Sequence, residues 1–575
     1  MTSWRTWTAR VPDPVLGARS ARARARLLAV AAGVLVAAAD VFVQAPLVRG
    51  VFTGLHLAPD RLATGLAMIS VFAIAAATTM RATALTGVLG PRRQALTALV
   101  GWSVGAAVAG GADAPGQLCA GRAIQGAAAG LLVPTGLAMV RSWWPPVCAG
   151  RPRALVLGAV VLAPAAGTWV ATSLRLWSSW RTVLLWDVAL GLALAWLLVS
   201  RDDPRDRHDR PRLDRSGALL VWAGLGVGLL LAMHRGNHGS LFRPTALGVA
   251  PLVLVLVALA VAAVWRDLHG PADRWRVLGL REFVAREGIP VLSAVAVRGA
   301  AGGLLVAGLG GLRSPTVGWA GIRPWLAVCA GTAVLLGCSV TVRSRRTPGR
   351  GAFGAVVAGL AGAAFAAAVV YVPLFNLATR HPRVAAAGAW VDLRMAMAFV
   401  IAVLICGVLL RLGSWVVAAI GFLGALVGLV AMSHWGASAL RGHFCWLSLL
   451  AVGGGLGLAA VPVAALRTEG TPRSGPVDLA AGLPDWLLGI AVGLPLLTAR
   501  GLAVFRARMH GVLPPAALCP ASPGQCAPYE RAVRAAVLDQ YRAVFVGAAL
   551  CAALAATLVV LSALPRAGQG ATGQA

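Results

Sequence analysis

The stretch LAVAAGVLVAAADVFVQAPLV, Leu28–Val48, is apolar along almost its whole length and carries one ionisable side chain, Asp40. About 20 apolar residues in a row are enough to cross the hydrocarbon core of a bilayer as a helix, so the stretch predicts a membrane span. A carboxylate in the middle of such a span costs about 2.5–3.5 kcal/mol on insertion scales. We therefore expect either that an interaction partner offsets the insertion cost of Asp40 or that its carboxyl has a function.

The composition of the chain extends this prediction beyond the first span. The 575 residues are 58% hydrophobic and only 12% charged, whereas soluble proteins hold about a quarter of their residues as charged side chains. Apolar runs recur along the sequence, so we predict an all-α polytopic membrane protein. The net charge of +31 comes from Arg residues spread between these runs. That spread is typical of membrane topology and not of a nucleic-acid surface.

Sixteen candidate spans can be counted along the chain. They cover about residues 27–48, 62–80, 94–112, 117–140, 154–174, 181–199, 216–233, 246–265, 289–312, 324–342, 353–375, 394–412, 414–432, 446–466, 480–498 and 541–563. Arg-rich and Arg-poor connections alternate between them, which places both termini in the cytoplasm of a multi-pass cell-membrane protein.

The spans group into a predicted domain organisation. An Arg-rich cytoplasmic arm is expected at 1–26, and a cytoplasmic tail at 564–575. Between them we expect a six-helix bundle at 27–199, a charged cytoplasmic linker at 200–215, additional or linking helices at 216–342, and a second helix bundle at 343–563 that contains an extracytoplasmic loop at 499–540. Cys519 and Cys526 lie in that loop and are candidates for a disulfide, because an oxidising compartment would preserve it.

Few ionisable side chains lie well inside the predicted spans. They are Asp40, Arg122, Asp187 and Arg298. The first three differ in depth by about one helical turn, so an Asp40–Arg122 ion pair is geometrically allowed. It could be a static lock, or Asp40 could take up and release a proton as the pair opens. Asp187 is also consistent with an interfacial residue. Three further acids lie near span ends, where we expect water to reach them: Asp392, Asp478 and Asp485.

Several motifs occur in an order that resembles a known family. They are ADVFVQAPL (Ala39–Leu47), RAIQGAAAG (Arg122–Gly130), LAPAAGTW (Leu162–Trp169), SWRTVLLWDVALGL (Ser179–Leu192) and LDRSGALLVWAGLGVGLLLA (Leu213–Ala232). They resemble helices one and four to seven of major facilitator superfamily transporters, in the fourteen-helix drug:proton antiporter branch. The resemblance implies two helical bundles that rock about a central site, with protons moving in and small molecules moving out.

The resemblance also implies roles for small residues within the motifs. Gly126 and Gly130 share a helix face with Arg122 and allow close helix packing, and Pro164 with Gly167 shapes a hinge-like contact. The sequence departs from the family where GVLGPRR, Gly87–Arg93, lacks the acid that normally braces the cytoplasmic gate. Asp187 and Gln44 each replace the usual Asn, and sixteen spans exceed the expected fourteen.

The leading functional prediction is proton-coupled efflux of hydrophobic or amphipathic molecules. Asp40 would carry the proton and Arg122 would stabilise its ionised state, with Asp187 as a further coupling residue. The candidates for the substrate cavity are Gln44, Gln125 and Arg298.

Two alternatives to a transporter remain open at this stage. The altered gate motif is compatible with a non-transporting membrane partner of another protein. A membrane glycosyl- or acyltransferase would need acids or histidines in an outer loop, and the first such loop offers only His56 and Asp60. We predict no enzyme activity and no cofactor. We also predict no metal site, because the Cys and His residues show no metal-ligand spacing.

Overall fold

The computed structural model describes residues 14–55, 62–80, 91–143, 150–175, 180–199, 348–379, 385–436, 443–468, 479–520 and 526–563. Within these ranges the regular elements are all helical, which confirms the predicted fold class. Twelve long helices lie in the described residues: α1 (Pro14–Gly54), α2 (Leu62–Met80), α3 (Pro91–Gly110), α4 (Pro115–Trp143), α5 (Gly150–Arg175), α6 (Trp180–Val199), α7 (Pro348–Thr379), α8 (Ala385–Leu409), α9 (Ser414–Ser433), α10 (His443–Thr468), α11 (Leu479–Met509) and α12 (Ala527–Ala563).

Most of these helices have the length and composition of membrane spans. Eight of those in the described ranges are long and apolar enough to cross a bilayer, and α2, α3 and α5 contain shorter apolar stretches. Each of the twelve coincides with one predicted span. The other four predicted spans lie outside the described residues: 216–233, 246–265, 289–312 and 324–342.

Two predicted boundaries can be compared with the observed helices. The weak division near Arg411 is real, because Leu410–Leu412 form a 3-10 turn and Gly413 follows with a φ of 104°. Helix extends into both ends of the predicted loop 499–540, since α11 continues to Met509 and α12 begins at Ala527. A hydropathy boundary falls at the first Arg, but a helix can continue past it when charged side chains reach water.

The helices pack as two halves of six. In the N-terminal half α1 packs against α5, α4 packs against both α2 and α3, and α3 packs against α6. In the C-terminal half α10 packs against α8 and α9, α7 packs against α11, and α12 packs against α9 and α11. The two halves meet where α2 contacts α11, α5 contacts α8 and α1 contacts α7.

Glycine allows close contacts within the N-terminal half. A Cβ atom at Gly126 would collide with the backbone carbonyl oxygen of Phe72, and one at Gly130 would collide with that of Ala76. Both contacts join α4 to α2. Gly167 makes the corresponding approach of α5 to α1, against the carbonyl oxygen of Ala39. The backbones therefore touch where the sequence predicted close packing.

Candidate functional site

A buried ion pair joins α1 to α4. The guanidinium of Arg122 contacts the carboxylate of Asp40, and the two side chains are 0% and 3% exposed. Two amides complete their surroundings: Gln44 Nε2 donates to Asp40 Oδ1 at 2.8 Å, and Arg122 Nη1 donates to Gln125 Oε1 at 2.6 Å. Each amide lies three or four residues from its charged partner on the same helix, where side chains meet. The pairing that similar depth allowed is thus formed.

Asp187 brings a second carboxyl group to this pair. It comes from α6 and lies close enough to the Asp40 carboxyl and the Arg122 guanidinium to interact electrostatically with both. Asp187 is itself only partly buried, so its interfacial and its coupling interpretations both stay predictions. We call Asp40, Gln44, Arg122, Gln125 and Asp187 the charge cluster. It holds two carboxyl groups and one guanidinium.

An apolar cavity of about 170 Å³ lies between the two halves. Helices α1, α2, α4 and α5 form one wall, and α7, α8, α10 and α11 form the other. Among the described residues, every side chain that lines it is apolar, from Ala38 and Phe72 on one side to Val403 and Leu483 on the other.

The charge cluster and the cavity are neighbours that do not share residues. Phe72 lies between them: its ring lines the cavity, while the Arg122 guanidinium carbon stacks 4.7 Å from the ring centroid. Gln44 and Gln125 were expected in the substrate cavity, but both hydrogen bond within the charge cluster and do not line the cavity. Arg298, the third candidate, lies outside the described residues.

Four aromatic side chains meet at one end of the cavity. The Phe365 ring centroid lies 5.6 Å from that of Phe42, 5.3 Å from Phe399 and 5.7 Å from Trp486. Phe42 comes from α1 and the others from the C-terminal half, so these rings, the aromatic barrier, connect the halves. Beyond them lies a recess of about 20 Å³ that shares Phe42, Phe365 and Phe399 with the cavity.

Two acids that the sequence predicted to be accessible to water are buried. Asp392, which lines the small recess, is 7% exposed, and Asp485 is 0% exposed. The expectation that water reaches them at span ends is wrong, because neighbouring helices cover these ends. Gly489, four residues after Asp485, packs its backbone against Gly359 of α7, which brings α7 close to this end of α11. Asp478 lies outside the described residues.

Other predicted site residues can also be placed. Pro164 lies inside α5 and lines the cavity, and Gly167 lies one turn away against α1. Cys519 and Cys526 are joined by a disulfide with their Cα atoms 5.6 Å apart. Their loop connects α11 to α12. Among the described residues no group of three or more His, Cys, Asp or Glu side chains could hold a metal ion.

Two helical halves around a central apolar cavity define a multi-pass membrane protein with the architecture of a transporter. The sequence profile of the Major Facilitator Superfamily matches residues 30–477, and the chain belongs to this superfamily.

Curated relatives within the superfamily are transporters. The chain is 33% identical to a triacylglyceride transporter of Mycolicibacterium hassiacum over 29% of this chain and 31% of that protein. It is 32% identical to the cephamycin export protein of Amycolatopsis lactamdurans over 34% of this chain and 41% of that protein. A probable triacylglyceride transporter of Mycobacterium leprae is 26% identical over 74% of this chain and 71% of its own length. The first two matches thus cover less than half of each relative.

Proposed function

We propose that this protein exports hydrophobic or amphipathic small molecules in exchange for protons. It would do so across the plasma membrane, with both termini in the cytoplasm, as a divergent member of the fourteen-helix drug:proton antiporter branch. The observation that carries the proposal is the charge cluster, in which Asp40 and Asp187 face a single guanidinium, that of Arg122.

The charge count gives the cluster a reason to hold a proton. With both carboxyls ionised, the cluster would carry a net negative charge inside a helical bundle, where an uncompensated charge is costly. A proton shared between Asp40 and Asp187 removes that charge. When Arg122 moves away from Asp40, the remaining pair favours protonation still more, because like charges repel. Movement of the helices thereby changes the affinity for the proton.

The same helices that carry the cluster also form the cavity wall. On α1, Asp40 points into the cluster while Phe42, two residues later, lines the cavity. On α4, Arg122 stacks on Phe72, and Ala129 lines the cavity. A rotation of α1 or α4 would alter the ion pair and the cavity together, so protonation and substrate occupancy can be linked without direct contact.

A hydrogen bond between α3 and α6 stabilises this end of the bundle even though the gate motif is altered. Arg92, at the start of α3, donates from Nη2 to the backbone carbonyl oxygen of Leu198 at 3.1 Å. Leu198 lies in the last turn of α6, where carbonyl groups have no partner within the helix and a cation is favourable. This contact supports retained gating and weighs against a protein that no longer transports.

Everted membrane vesicles test the proposal. Addition of a transported hydrophobic compound should release protons from vesicles that have been acidified inside, and dissipation of the pH gradient should stop accumulation of the compound. Transport that persists without any pH gradient and moves no protons would reject proton coupling. A chain that neither transports nor releases protons would favour the non-transporting alternative.

A further inference from the structure

We infer that the cavity binds an uncharged apolar molecule, or the uncharged apolar chains of a neutral lipid, and excludes organic ions. This inference rests on the proposed transport function and names the substrate class of the same cavity. The starting observation is the lining, in which every side chain among the described residues is apolar.

The ion pair of the charge cluster does not supply a polar contact to a molecule in the cavity. Asp40 already has both oxygens occupied, one by Gln44 and the other by Arg122. Phe72 covers the guanidinium of Arg122 on the side of the cavity. A cation in the cavity would therefore meet no free oxygen of Asp40, and an anion would not reach the guanidinium of Arg122.

An ion in such a cavity loses its water and gains no side chain of opposite charge from the described lining residues, which is unfavourable. An uncharged apolar molecule gains from the same removal of water. The rings of the aromatic barrier can stack on flat ligands and pack against acyl chains, since Phe42, Phe365 and Trp486 all line the cavity. The cavity therefore selects by charge as well as by shape.

A matched pair of dyes tests this inference by binding alone. N-phenyl-1-naphthylamine is uncharged, and 8-anilino-1-naphthalenesulfonate adds a sulfonate to the same rings. With the full chain in nanodiscs of zwitterionic lipid, we expect the uncharged dye to bind at least ~10-fold more tightly than the sulfonate or the cation ethidium, a difference of about 1.4 kcal/mol or more.

Cavity-filling substitutions separate this binding from partition into lipid. Ala38→Phe should abolish the saturable fluorescence signal, because Ala38 lines the cavity. Leu28→Phe, on the same helix at a position that is 56% exposed, should retain the signal. Ions that bind as tightly as the uncharged dye, and lose that binding in Ala38→Phe, would overturn the inference.

A second pair of variants keeps the inference testable if Ala38→Phe fails to fold. Leu483→Glu should create ethidium binding in the cavity, whereas Leu483→Gln should not, because only the former supplies a negative charge. Equal ethidium binding in wild type and Leu483→Glu contradicts the inference.

Competition distinguishes the two sources of the ligand. Displacement of the uncharged dye by trioleoylglycerol assigns the cavity to acyl chains, and retention of the dye assigns it to small uncharged molecules. Binding that is selective for uncharged dyes without proton release in vesicles would leave this inference standing and reject the proposed function.

Discussion

The helices inside each half of the molecule are joined by a different kind of contact. In the N-terminal half, α1, α4 and α6 meet at the charge cluster around Asp40 and Arg122. In the C-terminal half, α7, α12 and the end of α9 meet at five rings: Tyr371, Phe375, Trp435, Tyr541 and Phe545, with neighbouring centroids 5.3–6.0 Å apart. We call these rings the C-half aromatic cluster.

Polar contacts in the C-half aromatic cluster are neutral. The Tyr371 hydroxyl donates to Thr498 Oγ1 at 2.8 Å, and Trp435 Nε1 donates to Ser448 Oγ at 3.2 Å. Such contacts satisfy buried groups without any net charge. Under the proposed function, this difference divides the work between the halves: the N-terminal half would carry the proton and the C-terminal half would move as a packed body.

The largest expected effect comes from removing the carboxyl at the centre of the N-terminal half. Asp40→Asn should reduce proton-coupled export to the level of vesicles without the protein, because Asn cannot bind the proton, while the protein remains folded and inserted. The measurement is substrate-induced proton release from everted vesicles.

The matched control for that variant lies in the other half. Asp485 is a buried acid on α11, and Asp485→Asn should retain proton release. Equal loss in both variants would show that proton transfer is not confined to the N-terminal half, and the comparison between the halves would fail.

Removing a ring from the C-half aromatic cluster should affect stability and not coupling. Trp435 is 1% exposed, and Trp435→Ala should cost about 3–5 kcal/mol because it leaves a large cavity. Thermal unfolding of the purified protein measures this loss. The surviving protein should keep the pH dependence of transport, and a changed pH dependence would give Trp435 a part in coupling.

A smaller effect is expected where α4 touches α2. Gly126→Ala places a methyl group against the Phe72 carbonyl and should cost about 1–3 kcal/mol. Gly158→Ala is its matched control, since a Cβ there meets nothing within 4 Å. Equal unfolding temperatures for the two variants would show that the contact between α2 and α4 adapts freely.

The smallest effect is expected at the loop between α11 and α12. Replacing Cys519 and Cys526 with Ser removes a crosslink that spans a short loop, which is worth about 2 kcal/mol by chain entropy. We expect a small drop in unfolding temperature and normal proton release. Loss of proton release would extend the coupling machinery into this loop.

The sequence predicted the features that depend on position along a helix. Apolar length located the twelve described helices, and similar depth allowed the Asp40–Arg122 pair. The motif RAIQGAAAG placed Gly126 and Gly130 on a packing face, where both now meet backbone carbonyls of α2. These features follow from the rise per residue and from helical periodicity.

Features that depend on the rotation of one helix against another could not be predicted. Depth alone did not show that Asp187 reaches Asp40, because that contact needs α6 to turn its acid inward. Gln44 and Gln125 were assigned to the cavity, yet their own helices turn them toward charged neighbours three or four residues away. The burial of Asp485 depends on α7, more than 100 residues earlier in the chain.

The most direct test of the central claim is infrared titration of the protein in bilayers. A shared proton predicts a protonated-carboxyl C=O band at neutral pH that is lost as the pH rises, and that is absent or shifted in Asp40→Asn and in Asp187→Asn. A spectrum without that band at neutral pH, or a band that neither substitution alters, would mean that Asp40 stays ionised against Arg122 and would contradict the account.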